Sequence, residues 1–147
     1  MNLNKVCIDA SLAVSWLSYE RHTVRANALR RYWIEKSVEM VAPALFHAEV
    51  VSALRQQVYF KRILPDEGEE AFSIYLDIPL TVIDGPEIYR KAWQLTKDLN
   101  QPVCYDMQYL AIAELEDCLL WTSDRKLVNA VRSKTDRVRW IGDFSGK

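Results

Sequence analysis

Four acidic side chains stand where charge is costly, and together they define the chemistry open to this chain. Asp9 ends the apolar run Val6-Cys7-Ile8, where a strand-like stretch gives way to a helical one. Glu49 lies among Leu45, Phe46 and Ala53, which share one helix face at about 100° per residue. Asp106 stands in the first turn of a strongly apolar helical stretch after Pro102. Asp124 follows Leu119-Leu120-Trp121 in the turn Thr122-Ser123-Asp124. A carboxylate in apolar surroundings must be paired, protonated or bound to a cation. Each acid also has a plainer reading. Asp9 and Asp124 suit helix caps, and Asp106 suits a helix N-terminus. Glu49 suits an arginine salt bridge or the exposed end of its stripe. Glu114, on the Val103, Met107 and Leu110 side of its helix, either supports the site or pairs with a base. Asp66, Glu67, Glu69 and Glu70 form a charge run that reads as solvated surface.

These residues need a frame. Lys5–Asp9, Val38–Ala42, Leu80–Ile83, Cys118–Thr122 and Val138–Ile141 read as short strands. Between them, Ala10–Leu17, Arg21–Lys36, Ala44–Arg62, a segment starting at Leu64-Pro65-Asp66-Glu67, Glu87–Leu99, Val103–Asp117 and Arg125–Ser133 read as helices. This alternation predicts βαβ units and a mostly parallel sheet in one three-layer α/β/α sandwich spanning residues 1–147. Parallel strands bring their C-terminal ends to one edge, where open α/β sheets bind ligands. Asp9 and Asp124 therefore converge. Clustered carboxylates repel one another unless a divalent cation neutralises them. An oxygen-only donor set suits Mg²⁺ or Mn²⁺. In two-metal phosphodiesterases such ions stabilise both the attacking and the leaving oxygen.

Composition narrows the class. The 147 residues carry 19 basic and 20 acidic side chains, for a net charge of −1, and half are hydrophobic. Disorder requires the opposite balance. Four glycines and five prolines exclude collagen-like and linker classes. No apolar run approaches the ~20 residues of a membrane span, and the start lacks a secretory pattern, so a cytoplasmic protein without membrane attachment is expected. Cys7, Cys104 and Cys118 are odd in number and form no C-x-x-C pair, which predicts reduced core residues. With only His22 and His47, a histidine-rich metal site is ruled out. His47, two residues before Glu49, points to a different helix face and reads as structural.

Four blocks, in order and at characteristic spacing, resemble the PIN-domain family, and within it the VapC-like toxins of toxin–antitoxin pairs. They are Val6-Cys7-Ile8-Asp9-Ala10-Ser11 with Trp16-Leu17, Pro43 through Glu49 to Ala53-Leu54-Arg55, Tyr105-Asp106-Met107 through Glu114, and Thr122-Ser123-Asp124-Arg125-Lys126-Leu127. The resemblance implies a metal-dependent endoribonuclease with Asp9, Glu49, Asp106 and Asp124 in an acidic pocket. It makes Asp9, Asp106 and Asp124 the principal Mg²⁺ ligands. It has Glu49 complete a second metal position or orient water. Ser11, Thr122 and Ser123 match polar positions beside the family's acids and would donate to them. It also implies a homodimer and a cognate antitoxin. Met107 departs from the small residue frequent after the third acid.

An RNA substrate needs cations. Arg125, Lys126, Arg132, Lys134, Arg137 and Arg139 crowd the C-terminal stretch, and Arg21, Arg25, Arg30 and Arg31 form a second cluster. Each reads either as a phosphate-contacting surface or as a solvated helix face. Arg125 and Lys126 are the candidate RNA contacts nearest an acid. Tyr105 and Tyr109 read as core packing, with base stacking as the alternative. Two other functions remain open: a housekeeping PIN nuclease in RNA maturation, and a module that binds RNA or a partner without cleaving. A phosphatase with an aspartyl nucleophile is disfavoured because Ser11 stands where its second acid belongs.

Overall fold

The computed structural model describes residues 1–146. Strand β1 (Lys5–Ile8) is almost wholly buried and leads into α1 (Ala10–Leu17). There follow α2 (Thr23–Glu35), β2 (Glu39–Ala42), α3 (Leu45–Tyr59), α4 (Pro65–Leu76), β3 (Thr81–Val82), α5 (Pro86–Asp98), α6 (Tyr105–Leu115), β4 (Leu119–Thr122), α7 (Arg125–Val131) and β5 (Val138–Trp140). A 3₁₀ turn, Ile141–Asp143, comes after β5. The expected elements are all present, most with ends one to three residues shorter, while α5 starts one residue earlier, at Pro86. Asp9, expected as the last strand residue, is instead the N-cap of α1.

All five strands join one parallel sheet in the order β3-β2-β1-β4-β5. The first strand is therefore central, and winding reverses at it. The crevice between β1 and β4, outside their C-terminal ends, is the topological switch point where α/β sheets place ligands. Right-handed crossovers send the helices before and after that reversal to opposite faces. Accordingly α1 packs with α2, α3 and α4, whereas α5 packs with α6. The core runs through Ile8, Leu12, Phe46, Leu110, Ile112 and Leu120, all fully buried. Helix α6 lies against β1, β2 and β4, which explains why Met107 and Tyr109–Ala113 are buried around most of its circumference.

Two expectations about helix faces change. The buried stripe of α3 is Phe46, Val50 and Leu54, so Glu49 lies beside the stripe rather than inside it and is half-buried. Tyr105, read as a core residue, is 57% exposed. It is the first residue of α6, where the helix emerges from the sheet edge.

Candidate active site

Asp9 is the centre of the site. It is 5% exposed, and three donors hold it. Its Oδ1 accepts from the Ser11 hydroxyl at 2.8 Å and from the Leu12 amide at 3.0 Å. Its Oδ2 accepts from the Thr122 hydroxyl at 2.5 Å. Capping and a functional role are thus one geometry: a carboxylate that caps α1 is also locked at the sheet edge. Burial pushes the Asp9 carboxyl up to about 6. The three hydrogen bonds oppose that rise, and the charge of Asp106 adds to it.

Asp124 is placed by the same device one strand away. It caps α7, its side chain accepting from the Lys126 amide at 2.9 Å. Its own amide donates to Thr122 Oγ1 at 2.9 Å. Thr122, fully buried at the end of β4, therefore gives its hydroxyl proton to Asp9 and takes one from the Asp124 backbone. Ser11 Oγ likewise accepts from the Ser123 amide at 3.0 Å while donating to Asp9. Ser123 Oγ meets Ser15 Oγ at 2.8 Å. Ser11, Thr122 and Ser123 thus stitch the end of β1 to the end of β4.

Glu49 and Asp106 enter from α3 and α6. Tyr109 donates its hydroxyl to Glu49 Oε1 at 2.6 Å. Burial, then Glu49, holds that phenol far above its ordinary range, so it stays a donor. Asp106, expected on a buried helix, is exposed in the first turn of α6. Its carboxyl is nevertheless raised, first by desolvation and then by the charges of Glu49 and Asp124. Asp106 therefore feels the charges of Glu49 and Asp124, and Asp9 feels that of Asp106. Among the described residues none of the four takes part in an ion pair. Nor, among those residues, does any group of three or more Asp, Glu, His or Cys side chains stand close enough together to hold a metal ion as they lie. Ser11, Glu49, Ser123 and Asp124 line an open cleft of about 490 Å³ with Glu20 and His22.

The chemistry of the donors suits a hard divalent cation: carboxylate and hydroxyl oxygens, a desolvated Asp9 and, among the described residues, no lysine or arginine paired with the acids. The alternatives for Glu114 resolve differently. It pairs with Lys91 at 2.9 Å, so it belongs to the α5–α6 contact. His47 bonds the Tyr75 hydroxyl at 2.6 Å, a structural contact. The C-terminal cations divide. Arg137 is engaged by Asp117 at 2.8 Å and Arg139 by the Asp136 carbonyl, whereas Arg125 and Lys126 are exposed.

Sequence reasoning missed Tyr109 as the partner of Glu49 and Ser15 as the partner of Ser123. Both carry a spacing signal: Tyr109 is three residues after Asp106, and Ser15 four after Ser11, each pair on one helix face.

The comparisons with known proteins agree with this architecture. Ribonuclease VapC9 of Mycobacterium tuberculosis and a VapC ribonuclease of Mycobacterium bovis are each 25% identical over 122 residues, covering 83% of this chain and 87% of the relative. Among solved structures, PAE2754 from Pyrobaculum aerophilum superposes with a TM-score of 0.62 at 17% identity, covering 94% of this chain and 90% of that one. VapC20 of Mycobacterium tuberculosis, described as a sarcin–ricin loop cleaving toxin, superposes with a TM-score of 0.61 at 15% identity, covering 91% and 98%. These two likenesses establish the fold. The PIN domain profile matches residues 6–132, from β1 through α7, and so takes in all four acids and the hydroxyls between them: the chain belongs to the PIN domain family.

Proposed function

We propose that this chain is a Mg²⁺- or Mn²⁺-dependent endoribonuclease and the toxin of a toxin–antitoxin pair. One observation carries the reading. Asp9 and Asp124 follow neighbouring strand ends at the topological switch point, the charges of Glu49 and Asp124 act on Asp106 and that of Asp106 on Asp9, and among the described residues no basic side chain pairs with any of the four. Structural acids are ordinarily solvated or ion-paired, as Glu114 and Asp117 are. The naming of the curated relatives as ribonucleases supports the same reaction.

In this reading Asp9, Asp106 and Asp124 hold the cation. A divalent ion held there would lower the pKa of a water and offset the negative charge that develops on the phosphoryl and leaving oxygens. Ser11 and Thr122 fix both oxygens of Asp9, so its carboxylate enters the reaction pre-oriented. Glu49, steered by Tyr109, completes the acidic set or orients the attacking water. Arg125 and Lys126 provide cations for the RNA backbone beside an otherwise repulsive group. A cognate antitoxin and a homodimer belong to the same reading. No helix among the described residues is long and apolar enough to cross a membrane.

The test is cleavage of a mixed pool of structured and single-stranded RNA with Mg²⁺, with Mn²⁺ and with EDTA. Wild type is compared with Asp9→Asn and Asp106→Asn. Metal-dependent cutting that both variants lose supports the proposal. Cutting that persists in EDTA, or in either variant, overturns it.

A further inference from the structure

We infer that Trp140 is a positioning residue for Arg125, and that Arg125 so held binds a backbone phosphate of RNA at the rim of the acidic cleft. The inference rests on the ribonuclease reading for its substrate class and for Arg125 as an RNA contact, and goes beyond it in assigning the device that fixes that arginine.

Trp140 ends β5 in register with Thr122 of β4. It therefore lies one strand spacing, about 4.8 Å, from the residue whose hydroxyl holds Asp9. Its ring is confined on several sides. The Arg125 guanidinium lies over it at 4.5 Å from the ring centroid. The His22 ring meets it edge-on at 5.5 Å and 81°. Gly142 lies so close beneath it that a Cβ there would collide with Cζ3 and Cη2 of the indole. The Arg25 guanidinium in turn bonds the Gly142 carbonyl, tying this turn to α2. An indole clamped in this way is a fixed surface, not a mobile side chain.

Arg125 follows Asp124 directly, and His22 lines the acidic cleft with Asp124 and Glu49. Arg125 is exposed and, among the described residues, makes no ion pair. Stacking occupies only the face of a guanidinium. Its N–H donors lie in the plane and remain free for bidentate contact with phosphate. The other arginine–aromatic contacts differ: Arg30 on Trp16, Arg55 on Tyr59 and Arg62 on Phe60 are longer, at 5.5 to 5.6 Å, and none of these residues but Arg125 adjoins an acid of the site. A ring of carboxylates repels a polyanion. A cation fixed at its edge therefore contributes most where a freely rotating lysine would contribute least.

The test measures binding of a labelled, mixed-sequence single-stranded RNA in EDTA across a salt series, beside cleavage kinetics with Mg²⁺. Arg125→Ala should weaken binding about tenfold and lower the slope of log Kd on log salt by about one. In cleavage the loss should appear in KM, with kcat little changed. Trp140→Leu should reproduce about three- to tenfold of that weakening, and Trp140→Phe, which keeps an aromatic face, should restore binding. The Arg125→Ala, Trp140→Leu double variant should be no weaker than Arg125→Ala alone. Wild-type affinity in Trp140→Leu, additivity in the double variant, or an unchanged salt slope in Arg125→Ala overturns the inference. Should Trp140→Leu fail to fold, Arg125→Lys decides the same point: it should keep the salt slope yet bind several-fold more weakly, and wild-type affinity in it overturns the stacking role. RNA binding without cleavage would sink the catalytic reading while the binding results still decide this one. No RNA binding by wild type in EDTA, with cleavage intact in Mg²⁺, overturns this inference and leaves the catalytic reading standing.

Discussion

Tyr109 and Glu49, sixty positions apart in sequence, meet through a 2.6 Å hydrogen bond that joins α6 to α3. Tyr109 is 1% exposed, so its ring is core and its hydroxyl alone reaches the site. Tyr109→Phe should keep the packing and remove the donor. The expected result is a stability loss of about 1 kcal/mol with a cleavage rate reduced roughly tenfold, equivalent to about 1.4 kcal/mol in the barrier. Thermal melts and single-turnover rates measure the two separately. A rate equal to wild type would remove Glu49 orientation from the mechanism.

Asp9 gives a stability prediction of fixed sign. Its carboxyl titrates near 6 in the fold against 3.8 ordinarily, so between those values the native state binds more protons than the unfolded one. Stability without cation therefore falls as pH rises through that window, by roughly 3 kcal/mol in total for about two units. Asp9→Asn abolishes this dependence. In EDTA its melting temperature should exceed that of wild type by several degrees above pH 7, and the advantage should vanish below pH 4. An unaltered wild-type pH profile in the variant would show that Asp9 is not the titrating group.

Cation binding should release a proton where Asp9 is still part-protonated. Calorimetric titration of wild type with Mn²⁺ near pH 6, in two buffers of different ionisation enthalpy, should show this release, which should shrink toward zero by about pH 8. Identical heats in the two buffers at pH 6 would place the cation away from Asp9.

Glu114 supplies the negative control. Its pair with Lys91 is part-exposed, the side chains being 24% and 39% accessible. Glu114→Gln should leave cleavage unchanged and lower stability by less than about 1 kcal/mol. A large catalytic loss would return it to the site.

Gly68 tests the packing of α4 on α3. An alanine Cβ there would collide with Val58 Cγ2. Alanine gains about 1 kcal/mol in helix propensity over glycine, whereas overpacking costs typically 1–3 kcal/mol. The net expectation for Gly68→Ala is a loss of about 1 kcal/mol by denaturant unfolding. A gain would show that Val58 rotates aside freely.

Much of this was legible in the chain. Alternating apolar runs and helical periods gave the parallel α/β frame because the inner strands β1 and β2 are buried along most of their length and read as continuous runs. The strand-end positions of Asp9 and Asp124 followed from the same pattern. What the pattern could not supply was rotational phase. An error of one residue in α3, about 100° of rotation, placed Glu49 inside a stripe that Phe46, Val50 and Leu54 occupy. The same uncertainty at the start of α6 buried Tyr105, which is exposed, and drew Asp106 too far inside. Composition says nothing of hydroxyl partners, which depend on side-chain direction across neighbouring strands; the resemblance alone pointed to Ser11, Thr122 and Ser123, without saying which atom each would meet.

The order of the sheet also fixes when the pocket can exist during synthesis. β1 leaves the ribosome first, yet its neighbour β4 comes more than a hundred residues later, and Asp9 waits for Thr122, 113 positions downstream. A product stalled or clipped anywhere before Leu119 lacks one wall of the centre and the acid Asp124 besides. Incomplete chains of a protein that attacks RNA would then be harmless to the machinery that makes them, and competence arrives only as β4 and α7 dock.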